Sequence, residues 1–193
     1  MLKKYQMNEL IDFINGFQKL DTLTEEAIRK YFTIETFGKN ELILKQGKVC
    51  EKIYFIKSGL VERFTFEDDI KRTNWIYTKN QFFTSLSSFF EQKPSFENFE
   101  ASETTVVYSL SHKDELTLLE YPLFAKFHIK QLRLYLSKLN EFHHVFRFMT
   151  AQQKYSFLLA HFPEMIKKAK LKHIASLIGV SQETLSRIRA SIN

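Results

Sequence analysis

The spacing of apolar positions along the chain changes twice. Over residues 1–34 Leu10, Ile11, Ile14 and Phe17 recur at helical spacing, and Thr22 or Thr24 stands where it would cap a second helix carrying Glu25, Glu26, Ala27 and Ile28. From Thr33 the runs shorten. Segments 34–37, 41–44, 52–56, 60–66, 74–77 and 105–110 are rich in β-branched and aromatic residues, and Gly38-Lys39-Asn40, Gly47, Ser58-Gly59 and Glu67-Asp68-Asp69 punctuate them. Short strands at such regular intervals predict an all-β barrel or roll. Beyond Ser111 helical spacing returns, with a short helix over 112–119 and a longer one opened by Tyr121-Pro122, proline being tolerated in a first turn.

Along that longer helix Ile129, Leu132, Leu136, Leu139, His143 and Phe146 follow steps of three and four, which is a heptad seam. A helix lying on its own domain would show the same pattern. The seam joins two halves and falls outside both expected cores, which favours contact with a second copy of the chain. The chain thus divides into a β-roll over 1–120, a dimerising helix over 121–148 and a small helical unit over 149–193.

Composition narrows the class. With 44% apolar residues and 20 Phe there is ample material for a folded core. The single cysteine, Cys50, excludes an internal disulfide and a protein-held iron–sulfur cluster, and it has no adjacent cation to make it a reactive thiol. Asn8, Glu9 and Asp12 interrupt the N-terminal stretch, leaving no export signal. No run approaches the roughly 20 apolar residues of a membrane span. The expectation is a cytoplasmic protein without membrane contact. His128, His143 and His144 are better read as packed or solvated than as metal ligands, so neither metal nor cofactor is expected.

Charge matters once it is located. From Thr150 onward Lys154, Lys167, Lys168, Lys170, Lys172, Arg187 and Arg189 face only Glu164 and Glu183, which places nearly all of the net +6 in the last quarter of the chain. A solvated tail or a nucleic-acid footprint gives that distribution. The local pattern separates the two. Leu171, Ile174 and Ile178 share one face of a helix, Ala175 is small where a second helix must approach, and Gly179 permits a positive φ. Val180 plugs the junction and Ser181 caps a second helix whose buried face is Leu185 and Ile188. An ordinary helical hairpin shares the glycine turn, but the small Ala175, the Ser181 cap and the basicity favour a helix-turn-helix. In such a motif Gln182, Glu183 and Arg187 face base edges, while Lys168, Lys170, Lys172, Ser181, Thr184 and Arg189 are placed for phosphates.

These residues resemble the helix-turn-helix of the Crp/Fnr superfamily, closely over 174–188. Upstream, Gly38, the run 42–47 ending at Gly47, and 53–61 with Gly59 look like the first half of the cyclic-nucleotide-binding β-roll, and 121–148 falls where that family has its dimerisation helix. The resemblance implies an α+β chain with an N-terminal double-stranded β-helix of jelly-roll type, a long dimerisation helix and a winged-helix-like C-terminal unit whose wing is truncated at Asn193. It implies a homodimer on double-stranded DNA, with RNA polymerase and an unknown small-molecule effector as further candidate partners.

The family's phosphate-binding residues are missing. Thr84 and Ser85 stand in its Gly and Glu places, its Arg place falls near Ser95, and no Arg lies between Arg72 and Arg133. A phosphate beside Glu97 and Glu100 would lack a partner, which argues against cyclic AMP. Phe83, Thr84, Ser85, Ser95, Phe96 and Asn98 are the candidate effector pocket. It either takes a less anionic molecule, is filled by phenylalanines, or senses through a protein partner. The alternative to a DNA-reading regulator is a β-roll module for ligands or proteins that no longer reads DNA. A cupin-like enzyme would need histidines on strands, and none of the six lies between Thr33 and Ser111.

Overall fold

The computed structural model describes residues 7–192, so the part of the expected first helix before Met7, and Asn193, lie outside the described residues. Helices α1 (Asn8–Phe17) and α2 (Thr22–Tyr31) precede eight strands: β1 (Thr33–Phe37), β2 (Leu42–Leu44), β3 (Lys52–Ser58), β4 (Val61–Glu67), β5 (Ile70–Tyr77), β6 (Phe82–Phe83), β7 (Asn98–Ala101) and β8 (Thr105–Ser111), with the short α3 (Leu86–Glu91) between β6 and β7. Then come α4 (His112–Leu119), the 27-residue α5 (Pro122–Phe148), α6 (Ala151–His161), α7 (Pro163–Lys168), α8 (Leu171–Ile178) and α9 (Gln182–Ile192).

The strands form two four-stranded antiparallel sheets, ordered β1-β8-β3-β6 and β2-β7-β4-β5. The expected α+β architecture of a β-roll with a long helix and terminal helices is the one adopted. Strand β3 shows why its sequence reads as nearly continuous apolar. Tyr54 and Ile56 face the space between the sheets with Val61, Phe83, Phe99 and Val107, whereas Phe55 faces outward with Tyr108 against Leu10, Ile14, Ile28, Leu118 and Phe127 of the surrounding helices. A strand covered on both faces cannot alternate polar with apolar. A third core joins α6 to α9 through Leu158, Met165, Ile174, Ile178 and Leu185, and it includes Leu60 and Ile76 of the roll.

Local chemistry sets the boundaries. Asp21, not Thr22 or Thr24, caps α2: its carboxylate accepts from Thr24 N at 2.8 Å, and that bonding holds its pKa below the ordinary carboxylate value. Thr24 is instead buried in the first turn. Thr150 and Gln153 close a reciprocal capping box at the start of α6. Strand β5 begins at Ile70, four residues before the expected run, because Lys71 and Arg72 continue the ladder opposite Phe66 and Thr65.

Candidate functional site

The two helices α8 and α9 and the turn between them are built as the residue types dictate. Gly179 has φ +79°, which reverses the chain after α8, and Val180 N donates to Ala175 O at 3.0 Å, closing the helix end. Ser181 Oγ accepts from Thr184 N at 3.2 Å and starts α9, while Leu185 is fully buried. Gln182, Glu183 and Arg187 are exposed and share a shallow hollow with Leu171 and Ser186. The Glu183 carboxyl is held below its usual pKa by its own backbone N–H and the Ser181 hydroxyl, so it stays ionised beside Arg187. Lys170, Lys172 and Arg189 are exposed, and Lys168 is exposed with Glu164 Oε2 at 3.6 Å. The Ser181 and Thr184 hydroxyls bond each other at 3.1 Å.

The expected effector residues come together only in part. Phe83 stacks on Tyr54 at 4.9 Å and lies near Tyr77 and Phe99, each at 5.5 Å, so its ring is part of the packing between the sheets. Ser85 and Ser95 are buried with their hydroxyls 3.0 Å apart, and Thr84 donates to Lys52 O at 2.9 Å. Asn98 Oδ1 accepts from Gln46 N at 2.9 Å, which leaves its buried Nδ2 without a partner. Phe96 departs from the set. It is 61% exposed between buried Ser95 and Glu97, in the bend that leads into β7.

Sequence reasoning missed the roll's own cation. Arg63, pointing inward on β4, lies 3.5 Å from Glu97 Oε2, and its Nε has no hydrogen-bond partner. Burial alone would lower its pKa, but Tyr77, Glu97 and Tyr135 of α5 outweigh it and raise the value. Burial likewise pushes Tyr77 up to about 12. Glu100 belongs elsewhere, pairing with Lys71 at 3.3 Å.

On α5, Ile129, Leu136 and Leu139 are 49%, 62% and 46% exposed, with Leu132 half-buried and His143 exposed. Phe146 leaves this stripe: it stacks on Phe142 at 3.9 Å and packs against the third core, where the C-terminal helices cover that end of α5. His143 and His144 line an open hollow with His161, Phe148 and Phe157, and among the described residues no three His, Cys, Asp or Glu converge on a metal position. No helix among them is long and apolar enough to cross a membrane.

Helix α8 lies against β5, an arrangement no sequence pattern announced. Thr73 N donates to Ser176 Oγ at 2.9 Å, and Trp75 stands edge-on to Phe142 and Phe162 at 4.6 and 4.9 Å. Both the roll and the C-terminal helices therefore contribute to one core.

Residues 34–121 match the model of the cyclic nucleotide-binding domain family. The catabolite activator protein of Thermus thermophilus is similar over 91% of this chain and 85% of its own, at 22% identity and a TM-score of 0.57. A mutant of CooA from Carboxydothermus hydrogenoformans is similar over 94% and 83%, at 15% identity and a TM-score of 0.67. The c-di-GMP-responsive global regulator CLP of Xanthomonas campestris is similar over 89% and 91%, at 16% identity and a TM-score of 0.65. The chain has the fold of the Crp/Fnr regulators. No curated protein sequence matches it. In this chain β1 to β8 make up the roll, and the match ends at Tyr121, one residue before α5 begins.

Proposed function

We propose that this chain is a sequence-specific DNA-binding transcription regulator that acts as a cytoplasmic homodimer. The observation carrying the reading is the exposed face of α9, where Gln182, Glu183 and Arg187 stand free of the core beside a basic α7–α8 segment. Arg187 reads guanine, Gln182 adenine and Glu183 cytosine, while Lys168, Lys170, Lys172 and Arg189, with the N-terminal turn of α9 at Ser181 and Thr184, hold phosphates. Residues 1–120 sense, 121–148 dimerise and 149–193 read. The exposed Ile129, Leu136 and Leu139, with Leu132 and His143, form the contact between copies, which sets two readers on a pseudo-palindrome about one helical turn apart. RNA polymerase is a further partner of the bound dimer.

The effector site lies inside the roll at Phe83, Thr84, Ser85, Ser95 and Asn98, beside Arg63. Glu97 already neutralises Arg63, so a phosphate entering there gains no net positive charge. The free donors there are Asn98 Nδ2 and Arg63 Nε. These two suit a neutral, acceptor-bearing molecule and not cyclic AMP.

Selection of bound sequences from random duplex DNA at near-physiological salt tests the reading, and a two-fold symmetric motif is the expected result. No motif, with or without cell extract, would instead support a β-roll module that does not read DNA. On the recovered duplex, Arg187→Ala is expected to relax base choice at one position of each half-site and to cost roughly 1–3 kcal/mol per site. Lys168→Ala should weaken specific and random DNA alike and reduce the salt slope by about 1. Equal losses from both substitutions on both kinds of DNA would overturn this division of roles.

A further inference from the structure

The contact between α8 and the β4–β5 hairpin is polar at its centre, which is unusual for a surface so well buried. Glu62 of β4 is fully buried. Its Oε1 accepts from Thr73 Oγ1 at 2.6 Å. Its Oε2 lies 2.8 Å from Lys71 Nζ, a charge contact, and 3.3 Å from His173 Nδ1, neither with hydrogen-bond alignment. Lys71 also reaches Glu100 of β7 and sits 3.8 Å over the Phe64 ring. Across the contact, His173 of α8 is 7% exposed, with Lys170 and Lys172 near it.

A buried carboxylate is costly unless its partners stay in place, and breaking such a set costs far more than surface pairs do. Two of Glu62's partners come from β5 of the roll and one from the reading unit. The cluster is therefore complete only when α8 is docked. Docking also satisfies the outer edge of β5, whose Thr73 N–H has Ser176 Oγ as its acceptor. Gln182, Glu183 and Arg187 remain exposed in this arrangement, so the contact holds the reader without covering it.

We propose that Glu62 is a positioning residue for DNA recognition: acting through His173, it fixes α8, and with it α9, in one orientation against the sensor. This rests on the DNA-reading function proposed above. In a dimer the two recognition helices can engage both half-sites only if each is held at a set angle to the roll. A reader released from Glu62 samples many orientations, and apparent affinity falls with the fraction that is competent.

The arrangement carries a pH dependence. Burial holds the His173 pKa below its ordinary 6.5; Lys71, Lys172 and Lys170 push the same way and Glu62 opposes them. A released reader would return His173 to the ordinary value. Docking is thus at full strength above about 6.5 and weakens as pH falls from there toward the lower docked value.

The test uses the full chain, the duplex recovered by selection, and amide exchange at Thr73. Glu62→Gln is expected to speed Thr73 exchange and to weaken duplex binding by about tenfold, with the inner-strand amides of Ile56 and Val107 unchanged. His173→Asn is expected to do the same in smaller measure, and to remove most of the loss of affinity that the unmodified chain shows between about pH 7.5 and 5.5. If Glu62→Gln also exposes Ile56 and Val107, the roll itself has been damaged and His173→Asn decides alone. Thr73 released with unchanged DNA affinity, Thr73 still protected in both variants, or the same pH loss in His173→Asn as in the unmodified chain would each overturn the proposal. A chain that binds no DNA specifically refutes the DNA reading and this role together, and the Thr73 measurement then still reports whether Glu62 docks α8.

Discussion

Gly59→Ala is expected to cost about 3 kcal/mol of folding stability, a large share of what a chain of this kind possesses. Gly59 joins β3 to β4 with φ +108°, and a Cβ there would stand 2.3 Å from Thr105 Oγ1 and 2.6 Å from Thr105 Cα. Neither atom can retreat. Thr105 pairs with Phe37 in the β1–β8 ladder, and its hydroxyl accepts from Leu60 N at 3.2 Å. Gly47 and Gly179 are the controls. Both have positive φ, +85° and +79°, but nothing lies within 4 Å of a Cβ at either, so alanine there costs only the backbone penalty of about 1–2 kcal/mol. Urea denaturation should rank Gly59→Ala well below the other two, and equal midpoints would remove the steric argument.

Leu185→Ala is expected to cost roughly 2–5 kcal/mol, the usual toll for emptying a buried leucine site. Leu185 is the fully buried anchor of α9, and its core is shared with Leu60 and Ile76 of the roll, so the loss should spread across the junction. Trp75, the chain's single tryptophan, stands edge-on to Phe142 and Phe162 and reports on that junction by fluorescence. Fluorescence and far-ultraviolet dichroism are expected to lose about 10 °C of melting temperature together. Two separate transitions would mean that the reader melts by itself and that the shared core adds little. DNA binding should fall with the same transition, while half-buried Ile188, cut to alanine, should matter less.

What could be read from the sequence follows from how local each cause is. The helix ends, the Gly179 turn and the Ser181 cap depend on neighbours within a few residues, and they stand where the residue types predicted. Asp21 took the cap expected of Thr22 or Thr24 because the preference among capping residues is small and one residue of register decides it. Strands β6 and β7 were hidden in the phenylalanine-rich stretch because they are only two and four residues long and have the turns of α3 between them. Arg63 and Glu62 were missed for a different reason. A charged pair inside a strand reads as solvent-facing, and only partners distant in sequence, Glu97 for one and His173 for the other, make their burial intelligible. Phe146 keeps the spacing of the α5 stripe, but the C-terminal helices pack over that end of α5, and no local pattern announces their contact.

The order of the sheets also governs how the chain reaches its native state. Strand β8 is an inner strand of its sheet and pairs with β1, so Thr33 must find Ser109 across 76 residues. Neither β1 nor β3 has its principal partner until β8 has been made, whereas the contacts within α6 to α9 are mostly local. Chains dominated by long-range pairing close slowly, and those with local contacts close fast. During synthesis the N-terminal half therefore has to wait with exposed strand edges until residue 111 is available, and the C-terminal helices, though last to appear, are the quicker to fold once the roll offers β5 as their support.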